Sequence, residues 1–199
     1  MTYQIVLPLL SRGEKRKMVI VEAAIDILAR QGLSQLTFEA IGKKCHISKS
    51  HVAYHFPSLE KLVNTSVSYV YTVGQKTVSE YIQNESSKGK GDLLKAYVHG
   101  TFHWIETYPE HSSVAALLGY LATWDRGYRD IQSEIKRVGQ QRISALIQAM
   151  TGKRCPTAQA DAIQSLLMGK ILYYSTTATN RSIRQVRAET WRAIQELLP

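Results

Sequence analysis

The chain has 199 residues, 44% of them hydrophobic and 21% charged, a balance that builds a packed core and excludes extended disorder. Five prolines and twelve glycines exclude a collagenous chain, and no run of about 18 apolar residues is present to span a bilayer. Twenty-five Lys and Arg against sixteen Asp and Glu give a formal charge of +9, which favours a polyanionic partner such as nucleic acid. Cys45 and Cys155 stand in no CxxC or Cys/His cluster, so neither a disulfide scaffold nor a zinc module is expected. The opening MTYQIVLPLL lacks a basic segment and is interrupted by Pro8, unlike a secretory signal, and the expected location is the cytoplasm.

In chain order, Ile20, Ala23, Ala24, Ile27 and Leu28 form the apolar stripe of a first helix over residues 13–31, closed by Gly32. Thr37 caps a short second helix that buries Phe38, Ile41 and Cys45. Ser48 caps a third over residues 49–56, which Pro57 ends, and Ser58 caps a fourth over residues 59–84. The segment ESSKGKGD at 85–92 reads as a connection; its GKG lacks the rest of a phosphate-binding loop. Helical windows follow at 93–107, 113–123, 128–150, 158–179 and 183–198, giving nine helices and an all-α class.

Three short helices with a tight turn between the second and third have the spacing of a helix-turn-helix. In the third helix Val52, Ala53 and Phe56 point inward, while Ser50, His51, Tyr54 and His55 project from the other side. That face offers hydrogen-bonding groups to base edges or phosphates and carries no acid to repel a DNA backbone.

Residues 12–63 resemble the DNA-binding domain of the TetR family of bacterial transcriptional regulators. The resemblance rests on Ile20, Ala23, Ala24, Ile27, Leu28 and Gly32, on Thr37 and Ile41, on Ile47 and Ser48, and on Tyr54, His55, Phe56, Pro57, Ser58, Glu60 and Leu62. The sequence departs from the family at His46, usually glycine, at Ala53, commonly a phosphate-contacting tyrosine, and at Leu59, commonly lysine. Lys49, Lys61 and the run Arg12, Lys15, Arg16 and Lys17 stand ready for the DNA backbone. The DNA-contacting set expected is Thr37, Ser48, Lys49, Ser50, His51, Tyr54, His55 and Lys61. The resemblance divides the chain into a stub (1–11), a helix-turn-helix domain (12–57) and a helical ligand-binding and dimerisation domain (58–199).

In that last region aromatic residues concentrate between 97 and 128, and Phe102, Trp104, Tyr108, Tyr120, Trp124 and Tyr128 would suit an amphipathic small molecule, or simply fill the core. His99, His103 and Glu106 share a helical face but lack a further ligand, so no metal or other cofactor is expected. Ile163, Leu166, Leu167, Ile171, Val186, Ile194 and Leu197 suit a helix–helix face for a homodimer. One recognition helix reads only a few base pairs, whereas a two-fold dimer places two in successive major grooves about 34 Å apart on a palindromic operator. The resemblance implies a repressor released by a small-molecule effector, with no enzymatic activity. Two other classes remain open: an architectural DNA-binding protein without effector, with weak sequence preference, and a helical carrier or enzyme with a degenerate helix-turn-helix that retains no DNA.

Overall fold

The helix boundaries are set by side chains that satisfy the unpaired amides of each first turn. The computed structural model describes residues 11–87, 92–177 and 180–198. Among these residues run nine α-helices and no strand: α1 (Arg12–Gln31), α2 (Phe38–Cys45), α3 (Lys49–His55), α4 (Leu59–Ser87), α5 (Leu93–Thr107), α6 (Pro109–Leu121), α7 (Arg126–Thr151), α8 (Thr157–Thr176) and α9 (Ile183–Gln195), with a 3-10 turn at Leu33–Gln35. The apolar stub at 1–10 and the GKG at 89–91 lie outside the described residues.

Ser11 and Glu14 form a reciprocal capping box that starts α1, and Ser182 and Gln185 do the same for α9. α6 starts at Pro109, four residues before the expected Ser113, because the amide that proline lacks would have no helical acceptor in the first turn. Asp125 accepts from the Tyr128 amide at 3.1 Å and draws the start of α7 back to Arg126.

By packing, the chain divides into two units, residues 1–71 and 72–199, with the boundary within α4. The reason is local: Leu62, Val63, Val67 and Val70 of α4 are buried, and Tyr69 reaches Glu22 of α1 with a 3.4 Å hydrogen bond. Burial raises the Glu22 carboxyl above its ordinary value, which the tyrosine hydroxyl partly offsets. Ile20, Ala24, Ile27, Ile41, Val52 and Phe56 complete this first core. Asp26 ties α1 to α2 through Lys44 and to its own helix through Arg30, both at 2.7 Å. Burial opposes ionisation of Asp26, but these two cations outweigh it and hold the carboxyl below its ordinary value.

The turn from α2 to α3 is a Schellman motif: the Ile47 amide donates to Gly42 O at 2.9 Å and the His46 amide to Lys43 O at 3.4 Å. His46 holds φ 55 and ψ 43, alone with positive φ among described residues other than glycine. Its side chain makes that conformation cost more than it would cost glycine. Gly42 is required by space: a Cβ there would sit 2.7 Å from Ile47 O and 3.4 Å from Lys49 N.

In the second unit α5 is the central rod, with Leu94, Val98 and Phe102 at most 1% exposed. Gly74 of α4 lets the Trp104 indole lie flat on its backbone, where a Cβ would meet the ring at 2.7 Å. The Trp104 Nε1–H donates to His111 Nδ1 of α6 at 2.9 Å, and Tyr108 stacks on the same imidazole at 5.0 Å. Burial pushes the pKa of His111 down to about 4, which keeps Nδ1 an acceptor at neutral pH. Lys136 and Gln140 of α7 reach Asp161 of α8 at 2.7 and 2.6 Å. Ile163, Leu167, Ile171, Val186 and Ile194, expected to face a second copy, are buried within the protomer and join α8 and α9 to its core. The apolar surface that α8 leaves open is instead Met168, Leu172 and Tyr173.

Replacing His46→Gly should raise stability by about 0.5–1 kcal/mol, the left-handed strain relieved less the added unfolded-state entropy, whereas Gly42→Ala should lower it by about 1–3 kcal/mol. Urea midpoints of the two variants check this pair. His111 titrates near 6.5 when unfolded and about 4 when folded, so its contribution is complete above pH 6.5 and is lost as pH falls toward 4. The expected loss is about 3 kcal/mol, and His111→Gln should flatten that part of the stability–pH curve.

Candidate nucleic-acid interface

The seven residues of α3 form a short rod with one face in the core and one in solvent. Val52 is fully buried and Phe56, just past the helix, is 4% exposed, while Tyr54 is 83% exposed. Ala53, expected to point inward, is only half-buried. The Ser48 hydroxyl accepts from the His51 amide at 3.2 Å and sits 2.9 Å from the Ser50 hydroxyl. His51 stacks on His55 at 5.5 Å, and Tyr54 meets His55 edge-on at 5.2 Å. The outward face is therefore a layer of two imidazoles and a phenol, with Lys49 exposed in its first turn.

Ser48, Lys49, Ser50, His51, Tyr54 and His55 are thus gathered on or beside α3. Lys61, on α4, shares a shallow groove of about 460 Å3 with His55 and with Lys17 of α1. Burial, then the electrostatic influence of the neighbouring His51, Lys17 and Arg16 side chains, pushes the His55 pKa below its ordinary value. Thr37 stands apart at the start of α2, where its hydroxyl accepts from the Ala40 amide at 3.0 Å. Sequence reasoning missed Gly42, whose signal was a glycine inside an otherwise regular helical stripe, and it did not single out Lys17 within its basic run.

Of the six aromatic residues expected to bind a ligand, Trp104 and Tyr108 meet on the His111 ring and Tyr120 pairs with Trp124. Phe102 and Trp104 are 1% and 7% exposed and committed to the core, and Tyr108 is stacked on His111. Tyr120 and Trp124 form an edge-on pair 4.2 Å apart that is mostly in solvent, and Tyr128 is half-buried at the start of α7. Two concavities of about 410 and 600 Å3 share Tyr174, Thr177 and Arg181, and none of the six lines either. His103 lies against the Tyr81 ring at 5.5 Å, and no group of three or more His, Cys, Asp or Glu among the described residues is placed to hold a metal ion. No helix among them is long and apolar enough to cross a membrane.

Residues 20–65 match the family model described as "Bacterial regulatory proteins, tetR family". An uncharacterised helix-turn-helix transcriptional regulator of Bacillus subtilis, YuxN, is 34% identical over 79 residues, covering 40% of this chain and 25% of its own length. The chain spans between a quarter and about a third of the length of the curated relatives it matches. Two solved structures share the fold over nearly all of the chain. A transcriptional regulator from Saccharomonospora viridis in complex with choline aligns over 92% of this chain and 96% of its own at 18% identity, TM-score 0.76. The multidrug binding protein EbrR complexed with malachite green aligns over 93% and 99% at 19% identity, TM-score 0.68. The matched segment contains the capped α2, the left-handed turn at His46 and the exposed α3, and over residues 20–65 the chain is similar to the bacterial regulatory proteins of the tetR family.

Proposed function

We propose that the chain is a DNA-binding transcriptional regulator, a homodimeric repressor that reads a palindromic operator in the cytoplasm and is released by a small-molecule effector. The observation that carries the reading is the outward face of α3, where Lys49, Ser50, His51 and Tyr54 stand in solvent beside a rigid turn. Such a face enters a major groove: the phenol and imidazoles reach base edges, and the Lys49 ammonium neutralises phosphate.

Dimerisation is assigned to the outward face of α8. Met168, Leu172 and Tyr173 are 39%, 46% and 69% exposed, and Gly169 among them permits close helix approach. The effector is supported by two proteins of the same fold that hold small molecules, choline and malachite green. In this chain the concavity of about 600 Å3 that reaches Tyr174 and Arg181 has the size of a ligand site, and it takes the place of the aromatic set expected from the sequence. An effector that binds one dimer geometry better than the operator-bound one shifts the population away from DNA. The role is regulatory, with no catalytic constellation required.

Operators selected from random duplexes at fixed salt should show two-fold symmetry. On such a duplex Lys49→Ala should weaken binding to all sequences and reduce the salt slope by about one, whereas His51→Ala and Tyr54→Ala should each cost about 1–3 kcal/mol of discrimination. Light scattering should give twice the 22.4 kDa chain mass, and Leu172→Glu should give a monomer. A wild-type monomer, or binding without sequence preference, would remove the reading in favour of an architectural protein.

A further inference from the structure

Apart from the two concavities that share Tyr174, the second unit holds another of about 560 Å3, where the end of α7, the start of α8 and the end of α9 come together. Its surface is apolar. Ile147, 2% exposed, forms the floor, and Pro156, Ala158, Ala162 and Leu197 surround it, all four open to solvent. The walls are held by hydrogen bonds: Gly152 ends α7 at φ 69, the Thr151 hydroxyl accepts from the Lys153 amide at 3.2 Å, and the Gln159 side-chain amide donates to Leu197 O at 2.7 Å. That last bond clips the end of α9 to the start of α8. Lys153 and Arg154 complete the lining, both exposed; no acidic residue lines the groove, and no ion pair among the described residues engages either cation.

A small inorganic anion has no use for apolar walls, and a neutral apolar compound leaves the two cations without a partner. An amphipathic anion uses both. The stems of Lys153 and Arg154 extend the apolar surface toward their charged ends, and a guanidinium fork matches the two oxygens of a carboxylate. We infer that this groove binds a free amphipathic monoanion, an alkyl chain ending in a carboxylate, with the chain laid over Ile147, Ala162 and Leu197 and the head held by Lys153 and Arg154. The site goes beyond the regulator reading: none of its residues lines the concavity assigned to the effector, and it stands whether or not the chain binds DNA. It is also set apart from the surface assigned to dimerisation, since ten residues of α8 separate Ala162 from Leu172, about 15 Å along the helix. A second copy would bring a net charge of +9 toward the two cations, whereas a small carboxylate complements them.

The test is calorimetric titration of the full chain with decanoate, kept below its micelle concentration. Decanoate should bind at one site per chain, and raised salt should weaken it. Octanoate should bind about three- to tenfold more weakly, because less chain is buried, and decanol and decyltrimethylammonium more weakly than decanoate. Lys153→Ala and Arg154→Ala should each weaken decanoate by about two- to fivefold. Ala162→Phe, which fills the groove from an exposed position, should abolish binding, whereas Ser113→Phe in the effector concavity should leave it intact. Circular dichroism of each variant shows that it folds. Decanoate binding that survives Ala162→Phe, that decanol equals, or that is lost in Ser113→Phe overturns the site, as does the absence of binding. A change in the light-scattering mass of Ala162→Phe would give the groove to a contact between copies, and adsorption to phosphatidylglycerol vesicles without binding of free decanoate would give it to a bilayer; either result also overturns the assignment. None of these outcomes bears on operator binding, so the regulator reading is judged separately.

Discussion

The α2–α3 turn is the constraint on which the rest of the first unit depends. Two backbone hydrogen bonds, from Ile47 to Gly42 and from His46 to Lys43, bring the start of α3 so close to α2 that no Cβ fits at Gly42. The price is a histidine held in the left-handed region. What the strain secures is direction: with Val52 and Phe56 locked in the core, Tyr54 and His51 have nowhere to point but outward. A face that reads bases must be held by packing rather than by its own contacts, and here the core supplies that.

The second unit solves a different problem by similar means. Glycines at 74 and 100 let α4 approach α5, the first against the Trp104 indole and the second against Tyr81. Trp104 then hands its one donor to a buried neutral histidine on α6, so three helices are tied by a single aromatic side chain. Trp104 is thus held on one side by His111 of α6 and on the other by the close approach at Gly74 of α4.

Much of this was legible in the residues. Serine and threonine before apolar periodic runs mark helix starts, and Thr37, Ser48 and Ser58 fall where hydroxyls meet first-turn amides, whereas the caps at Asp125 and Ser182 were not read. His46 was readable too, since a side-chain-bearing residue at a turn usually held by glycine must adopt that glycine's conformation. Less was legible where two helices present equally apolar faces. Ile163, Leu167 and Ile194 look the same in sequence whether they meet their own protomer or another, and only packing shows them buried. The aromatic cluster misleads for a related reason: closeness along one helix and its neighbour does not fix whether rings line a cavity, fill a core or, like Tyr120 and Trp124, stand in solvent. The groove at Lys17, His55 and Lys61 joins residues up to 44 positions apart, so no local pattern announces it.

The central claim is that the surface around His51 and Tyr54 lies against bases. A photo-reactive phenylalanine analogue placed at position 54 tests it directly, with the same analogue at position 173 on α8 as reference. The account predicts cross-links from position 54 to bases in the major groove of each half-site, and none from position 173. Equal labelling of DNA from both positions, or labelling from position 54 confined to protein, would contradict it.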